Sequence, residues 1–494
     1  MKIAFDFVCD EAPLFARLAQ RYSNDGYQVC GFTMGRRWKK YWNDFPRTYP
    51  LDVFFDQGFD IRKELERLEQ QYGQYKPASF IAADRFLVKE KRARQAQALI
   101  STFYNVERAL NKERPDFYFS TGIAYLYNLV TLAVCEKHKI PHLSFYSTRG
   151  DTPRFTLSLW RGGKWDLVDC EYKNLLEGTE YEPREYDEAA AYLHAFREHA
   201  QQPYYMKAAY QSLSLQTVFL KEFIIRLHNW YIGGWGREKG DYITQHPLWY
   251  AWRDIKKIVR AQWLMRFGRS IFDKIAPDDR YYIFPLHLQP EASTLVLSEW
   301  YVDQLNTIQN IARALPADRL LYVKEHKSAL GRHSMKFYRA VKALYNVRLI
   351  AYDADPAALI RHSSGVIVLS STMGWEALLL KKPVYVLGTV YYQDVKGAEK
   401  IYHFEELSKR LAADREAEKD SVVLDNDEEV IKFIMALNRG SFDGHFNVAK
   451  MEIKKQVLSE SNIDTLYKGF NIILRGLYDR LVLVKKRDGM TIQD

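Results

Sequence analysis

His362-Ser-Ser-Gly-Val-Ile-Val-Leu-Ser370-Ser371-Thr372-Met-Gly374-Trp-Glu376-Ala-Leu-Leu-Leu-Lys-Lys-Pro383-Val-Tyr-Val-Leu-Gly388 reads as strand, tight turn, helix, strand. Gly365 to Leu369 is short, apolar and β-branched, as a buried parallel strand requires. Ser370, Ser371 and Thr372 supply hydroxyls and capping oxygens. A helix is expected over Trp375 to Lys382, stopped by Pro383, with Lys381 and Lys382 at its negative end. Val384 to Leu387 is the next strand. Such a unit aims helix N–H groups at the C-terminal edge of a parallel sheet, where phosphate binds well. Glu376 completes no capping box, because three residues after Ser371 and Thr372 stand Gly374 and Trp375. It either accepts the ribose hydroxyls of a nucleotide or is a solvated acid favoured by the helix dipole.

Working outward, strands are expected at Tyr281–Leu286, Leu320–Lys324 and Val347–Tyr352, with helices at Val302–Ala314 and Asp355–His362 between them. Strands alternating with helices imply one parallel sheet with right-handed crossovers. Three loops then share one edge. The first carries His287, Gln289 and Glu291, the second Lys324, Glu325 and His326, and the third Ser370, Ser371, Thr372 and Glu376. Cations, hydroxyls, helix N–H groups and a carboxylate are the inventory for a sugar nucleotide. Glycosyl transfer asks such a site to stabilise a leaving phosphate, and a base can deprotonate the acceptor hydroxyl.

Residues 1–170 read as another α/β domain. Ile3–Val8, the helix Glu11–Tyr22 and Tyr27–Thr33 make a βαβ opening without GxGxxG, which argues against a dinucleotide site. Asp10 and Glu11 follow the first strand; with Glu291 they are the candidate catalytic acids, the alternative being an acid-rich helix start. A charged helix is expected over 84–112, then the strand Phe117–Ser120, a helix to about Lys139 and the strand Ile140–Phe145. Arg149 and Arg154, in the loop from Tyr146, are candidates for an anionic acceptor. Residues 171–278 read as a helical insertion, with helical spacing in Tyr192–Glu198, Thr217–Tyr231 and Trp249–Phe267. Its Trp230–Trp235 and Trp249–Trp252 clusters either grip a glycan, touch a membrane surface or pack among helices. Residues 279–415 form the second domain, and 416–494 a helical segment whose stretch Ile463–Arg480 packs back on the first.

With 494 residues the chain has room for two or more domains, and 47% hydrophobic residues suffice for their cores. A net charge of +9 suits anionic ligands or an anionic surface. No dense basic stripe with interleaved aromatics points to nucleic acid. The four cysteines, Cys9, Cys30, Cys135 and Cys170, form no CxxC or zinc pattern, so a reducing cytoplasm is expected. The N-terminus lacks a signal-peptide pattern, and no run nears the ~18 apolar residues of a membrane helix. A membrane role would be peripheral. No metal is expected, since Asp353-Ala-Asp355 reads as a helix start rather than a metal-binding pair.

Pro285-Leu-His287-Leu-Gln289-Pro290-Glu291, Tyr322-Val-Lys324-Glu325-His326, and Leu369-Ser370-Ser371-Thr372-Met-Gly374-Trp-Glu376-Ala-Leu with Lys382-Pro383-Val resemble the bacterial capsule polysaccharide biosynthesis and export proteins, which include β-Kdo transferases. The resemblance covers about residues 280–395. It implies a GT-B architecture: two Rossmann-like α/β domains facing across a cleft, here with a helical insertion and a C-terminal helical segment. It also implies a metal-independent glycosyltransferase with no cofactor, using a nucleotide-sugar donor such as a CMP-linked acidic sugar. The acceptor would be a growing surface glycan or glycolipid, at the cytoplasmic face of the inner membrane, with capsule assembly or export proteins as partners. Carried over, His326, Ser370 and Ser371 contact phosphate and Glu376 the ribose. Lys327 stands where the family commonly has Pro; it adds charge at the phosphate or marks another donor. A non-catalytic glycan-binding or export-assembly protein, and a nucleotide-sugar epimerase or hydrolase on the same fold, are the alternatives.

Overall fold

A computed structural model describes the chain except for residues 9–10, 35–44, 46, 55–57, 149–151, 160–162, 201–214, 233–241, 244, 418–423, 447–454 and 488–494. Asp10, Arg149, Cys9 and Trp235 lie outside the described residues. The strands are β1 (Lys2–Asp6), β2 (Gln28–Met34), β3 (Thr48–Leu51), β4 (Phe117–Ser120), β5 (His142–Ser147), β6 (Arg154–Ser158), β7 (Tyr281–Pro285), β8 (Leu320–Lys324), β9 (Val347–Ile350), β10 (Gly365–Val368), β11 (Val384–Val386), β12 (Ala398–Lys400) and β13 (Phe442–Asp443).

They form two sheets. The second runs β9-β8-β7-β10-β11-β12 and is parallel throughout. Numbered within the domain, that order is 3-2-1-4-5-6, the doubly wound Rossmann order. The first sheet repeats 3-2-1-4-5 as β3-β2-β1-β4-β5, then adds β6 and β13 antiparallel at its edge. The chain therefore has the two-domain, Rossmann-like GT-B architecture.

Local chemistry explains the element ends. The Asp355 carboxylate accepts from the N–H groups of Ala357 and Ala358, and Pro356 opens the helix Pro356–His362. Asp303 caps Gln304–Ala314 through Leu305 N and Asn306 N. The helix expected from residue 84 begins instead at Arg92. Asp84 accepts from Phe86 N and Leu87 N, and that turn breaks the helical run.

Three of the chain's apolar clusters tie distant segments together. The helix Glu460–Arg487 lays Ile463, Leu466 and Phe470 against Phe5, Phe15, Phe119 and Phe145 of the first domain. The helices Asp166–Leu176 and Pro183–Glu198 join Asp427–Arg439 in a cluster that continues into Tyr281, Ile283 and Val366 of the second sheet. Trp165 and Val168 belong to this cluster, while Leu167 between them packs on the first-domain one. The insertion helix Pro247–Phe267 buries Ala261 and Leu264 in the other second-domain cluster, and its Trp249 meets Lys89 of the first domain at 4.7 Å. Among the described residues, no helix is long and apolar enough to cross a membrane.

Candidate functional site

The strand order reverses between β7 and β10, and their C-terminal ends open a crevice there. The loops after these two strands carry His287–Glu291 and Ser370–Thr372. The loop after the adjacent β8 carries Glu325 and His326. The three expected loops therefore share one edge, because their strands are neighbours in a single parallel sheet.

Each loop is held by its own hydrogen bonds. Gln304 clamps the backbone of His287, accepting from its N–H at 2.7 Å and donating to its carbonyl at 3.1 Å. The His287 ring is buried and its Nε2 has no partner; burial, and then His326, take its pKa down to about 3. The Gln289 amide donates to Val302 O at 2.6 Å, so this side chain braces its own loop. Glu291 is half-buried and starts the short helix Ala292–Leu295 through its carbonyl. Ser370 Oγ donates to Ser293 O at 2.7 Å and fastens the two loops across the crevice.

After β8, Glu325 is the buried brace. Its carboxylate accepts from His326 N at 2.8 Å and from the Tyr338 hydroxyl at 2.6 Å, and His333 Nδ1 lies 3.2 Å away. His326 Nδ1 accepts from Ser328 N at 3.2 Å. The neutral imidazole therefore carries its proton on Nε2, a tautomer assigned from that bond. Burial lowers the pKa of His326, so this neutral donor form is favoured. Lys324 is buried and donates to Tyr352 O at 3.2 Å. Burial lowers its pKa, while Glu325, Asp353 and Glu376 pull it back up.

After β10, the helix runs from Met373 to Leu379, starting two residues earlier than its pattern suggests. Ser371 Oγ accepts from Met373 N at 3.2 Å and keeps its own proton to donate. Thr372 is the N-cap residue, with no side-chain capping bond. The buried Tyr392 donates to Ser371 O and lies against Gly374; a Cβ there would stand 2.2 Å from the Tyr392 hydroxyl oxygen. Burial raises the Glu376 carboxyl to about 7, with Lys324 drawing it down and Asp355 pushing it further up. Together the loops present the Lys324 ammonium, the His326 Nε2–H and the Ser371 and Thr372 hydroxyls beside a carboxyl that titrates near neutrality.

The first-domain candidates fare differently. Glu11 is half-buried at the start of the helix Ala12–Asn24 and makes no capping bond there. Arg154 is spent on the C-terminal segment: it donates to Ser441 Oγ, Ser441 O, Asn438 O and Asp443 Oδ1 at 2.6–2.9 Å. What the sequence reading passed over is Asp6, the last residue of β1. Its fully buried carboxylate accepts from the Tyr118 and Tyr127 hydroxyls, and from Ser120 Oγ, Thr121 N and Asn128 Nδ2 at 3.0–3.1 Å. Asp6 thereby joins the ends of β1 and β4 at the first sheet's own switch point. The signal was a lone acid inside the apolar run Ile3–Val8.

Residues 179–419 match the family described as Capsule polysaccharide biosynthesis protein. Over these residues the chain is similar to the capsule polysaccharide biosynthesis proteins. All three site loops fall inside the matched stretch, and the first sheet's strands β1 to β6 fall outside it. The Capsule polysaccharide export protein KpsS of Escherichia coli is 26% identical over 182 residues, 34% of this chain and 46% of that protein. The Capsule polysaccharide modification protein LipB of Neisseria meningitidis serogroup A is 29% identical over 98 residues, 19% of this chain and 23% of that one. The match thus spans about half the length of the first capsule relative and a quarter of the second. Among solved structures, the β-Kdo 2,4 transferase KpsC of Thermosulfurimonas dismutans aligns over 60% of this chain and 79% of its own. Its identity is 14% and its TM-score 0.32, too low to bear on function.

Proposed function

We propose that this protein is a glycosyltransferase that moves a sugar from a nucleotide-sugar donor to a growing surface glycan or glycolipid at the cytoplasmic face of the inner membrane. The observation that carries the reading is the clustering of Lys324, His326, Ser371 and Glu376 at the switch point of the second sheet. In this reading Lys324, the His326 Nε2–H and the hydroxyls of Ser371 and Thr372 hold the donor's phosphates. Such donors stabilise the charge that grows on the leaving phosphate. Glu376 accepts from the ribose. The neutral His287 lies behind His326 and keeps a second cation out of the site. Glu11 or Glu291 takes the acceptor proton, and no cofactor or metal enters the chemistry. A CMP-linked acidic sugar is the donor favoured by the resemblance of the three loops.

The export role in the KpsS relative's name favours one further reading, a glycan-binding or export-assembly protein that performs no transfer. A thermal-shift screen with CMP, UDP, GDP and ADP, without added metal, separates the two. A ligand at 100 to 1,000 times its Kd stabilises the folded state by about 3–4 kcal/mol. A transferase gives a selective shift with one nucleotide, lost in His326→Ala combined with Ser371→Ala, and consumes the matching sugar nucleotide when acceptor is added. Folded protein that responds to none of the four refutes the transferase reading.

A further inference from the structure

The insertion helix Pro247–Phe267 carries an apolar stripe on its outer side. Leu248, Trp252, Ile255, Val259 and Trp263 follow the i, i+4, i+7, i+11, i+15 spacing of a single helical face. All five are between 42% and 62% exposed. The opposite side holds the helix to the protein through Pro247, Ala261 and Leu264. Closely packed against it, the helix Leu215–Tyr231 adds the exposed Leu220, Ile224 and Tyr231, again on one face.

The charge around the stripe has one sign. Arg266 continues it by one turn, and Lys256 lies beside it with its ammonium 4.5 Å from the Trp252 ring centre. Arg253 and Arg260 follow on the same flank. The helix has one acid, Asp254, which is paired with Arg226 at 3.3 Å and Arg253 at 2.7 Å. That flank lines a cavity of about 360 Å³, closed on the other side by Gln289 and Pro290 and by Gly331 and Arg332, from the loops after β7 and β8.

Of the five stripe side chains, Trp252 alone lines that cavity, and the stripe itself runs along one face of a single helix. It matches a plane: the apolar side chains reach the acyl boundary and the flanking cations meet anionic headgroups. We infer that the helix Pro247–Phe267 lies in the surface of an anionic lipid bilayer and docks this protein there, with its cationic flank and the donor-site loops turned toward the headgroups. This goes beyond the transferase reading and does not depend on it, since docking requires no turnover.

Flotation of the full chain with lipid vesicles tests it. The protein should float with vesicles of phosphatidylcholine and phosphatidylglycerol, stay behind with phosphatidylcholine alone, and detach as salt rises. Val259→Asp with Trp263→Ser should reduce the bound fraction at least tenfold. Lys256→Glu with Arg266→Glu should remove the preference for anionic lipid. All four side chains are at the surface, so the unfolding temperature should hold in both variants. Three results overturn the inference: no flotation with anionic vesicles, undiminished flotation of the first variant, or light scattering that shows a dimer which that variant splits. The last would make the stripe an interface between two copies of this chain.

Discussion

Replacing Glu376 by Gln should make the protein more stable above neutral pH, while weakening nucleotide binding. The carboxyl titrates at about 7 in the folded chain against an ordinary 4.5, and burial is the main cause. Between those values the unfolded chain releases the proton while the folded chain keeps it. Wild-type stability therefore falls as pH rises, by about 1.4 kcal/mol per pH unit. The full interval comes to about 3 kcal/mol, an upper bound because part of the side chain reaches solvent. Glutamine resembles the protonated acid and escapes this loss. Below pH 4.5 the two proteins should unfold together; the gap should open through pH 5 and 6 and level off past 7. Thermal or urea unfolding at a series of pH values, with ligand absent, reads it directly. A wild type and variant that stay parallel from pH 4 to 8 would refute the claim that Glu376 is held protonated by burial. A variant that gains stability yet binds nucleotide as tightly as wild type would remove Glu376 from the donor site and leave the burial argument intact.

Gly374→Ala drives a methyl group to within 2.2 Å of the Tyr392 hydroxyl oxygen and should cost about 1–3 kcal/mol, read as a lowered unfolding temperature. Because Tyr392 pins Ser371 O, the same change should weaken nucleotide binding in calorimetry, and Tyr392→Phe should do so by less. Arg154→Ala removes four hydrogen bonds to the segment Asn438–Asp443; it should cost about 2–4 kcal/mol and expose that segment to limited proteolysis. Asp6→Ala strands five buried donors and should cost about 3–5 kcal/mol by urea unfolding, whereas Asp6→Asn keeps an acceptor and should cost less.

The parallel strands of both domains were open to reading because they are short apolar runs that end in polar loops. Phe117–Ser120 and Leu320–Lys324 coincide with β4 and β8 to the residue. Pattern alone could not supply β6 or β13. β6 follows a turn that reads as loop, and β13 is two residues long, existing only because Arg154 and Phe155 pair with it. The site loops were legible for the same reason as the strands: a parallel sheet sends its functional groups to one edge. Their division of labour was not. Glu325 looks like a ligand in sequence and proves to be a brace, because Tyr338 and His333 reach it from thirteen and eight residues downstream. Arg154 reads as a free surface cation until residues 438–443 fold onto it. Asp6 shows in sequence only as a lone acid in an apolar run, since its partners lie more than a hundred residues away.

The helix Glu460–Arg487 carries a consequence for how the chain reaches its folded state inside a cell. Phe119, Phe145 and Phe155 of the first sheet rest on Phe470, which leaves the ribosome roughly 300 residues after β6 is complete. At 5–20 residues per second, that is about 15 seconds to a minute of synthesis. For that interval an aromatic sheet face stands bare on a nascent chain, next to strand edges that have yet to receive β13. Holding chaperones have a defined target and a defined window here, and depleting them should trap the protein in aggregates seeded by its first domain.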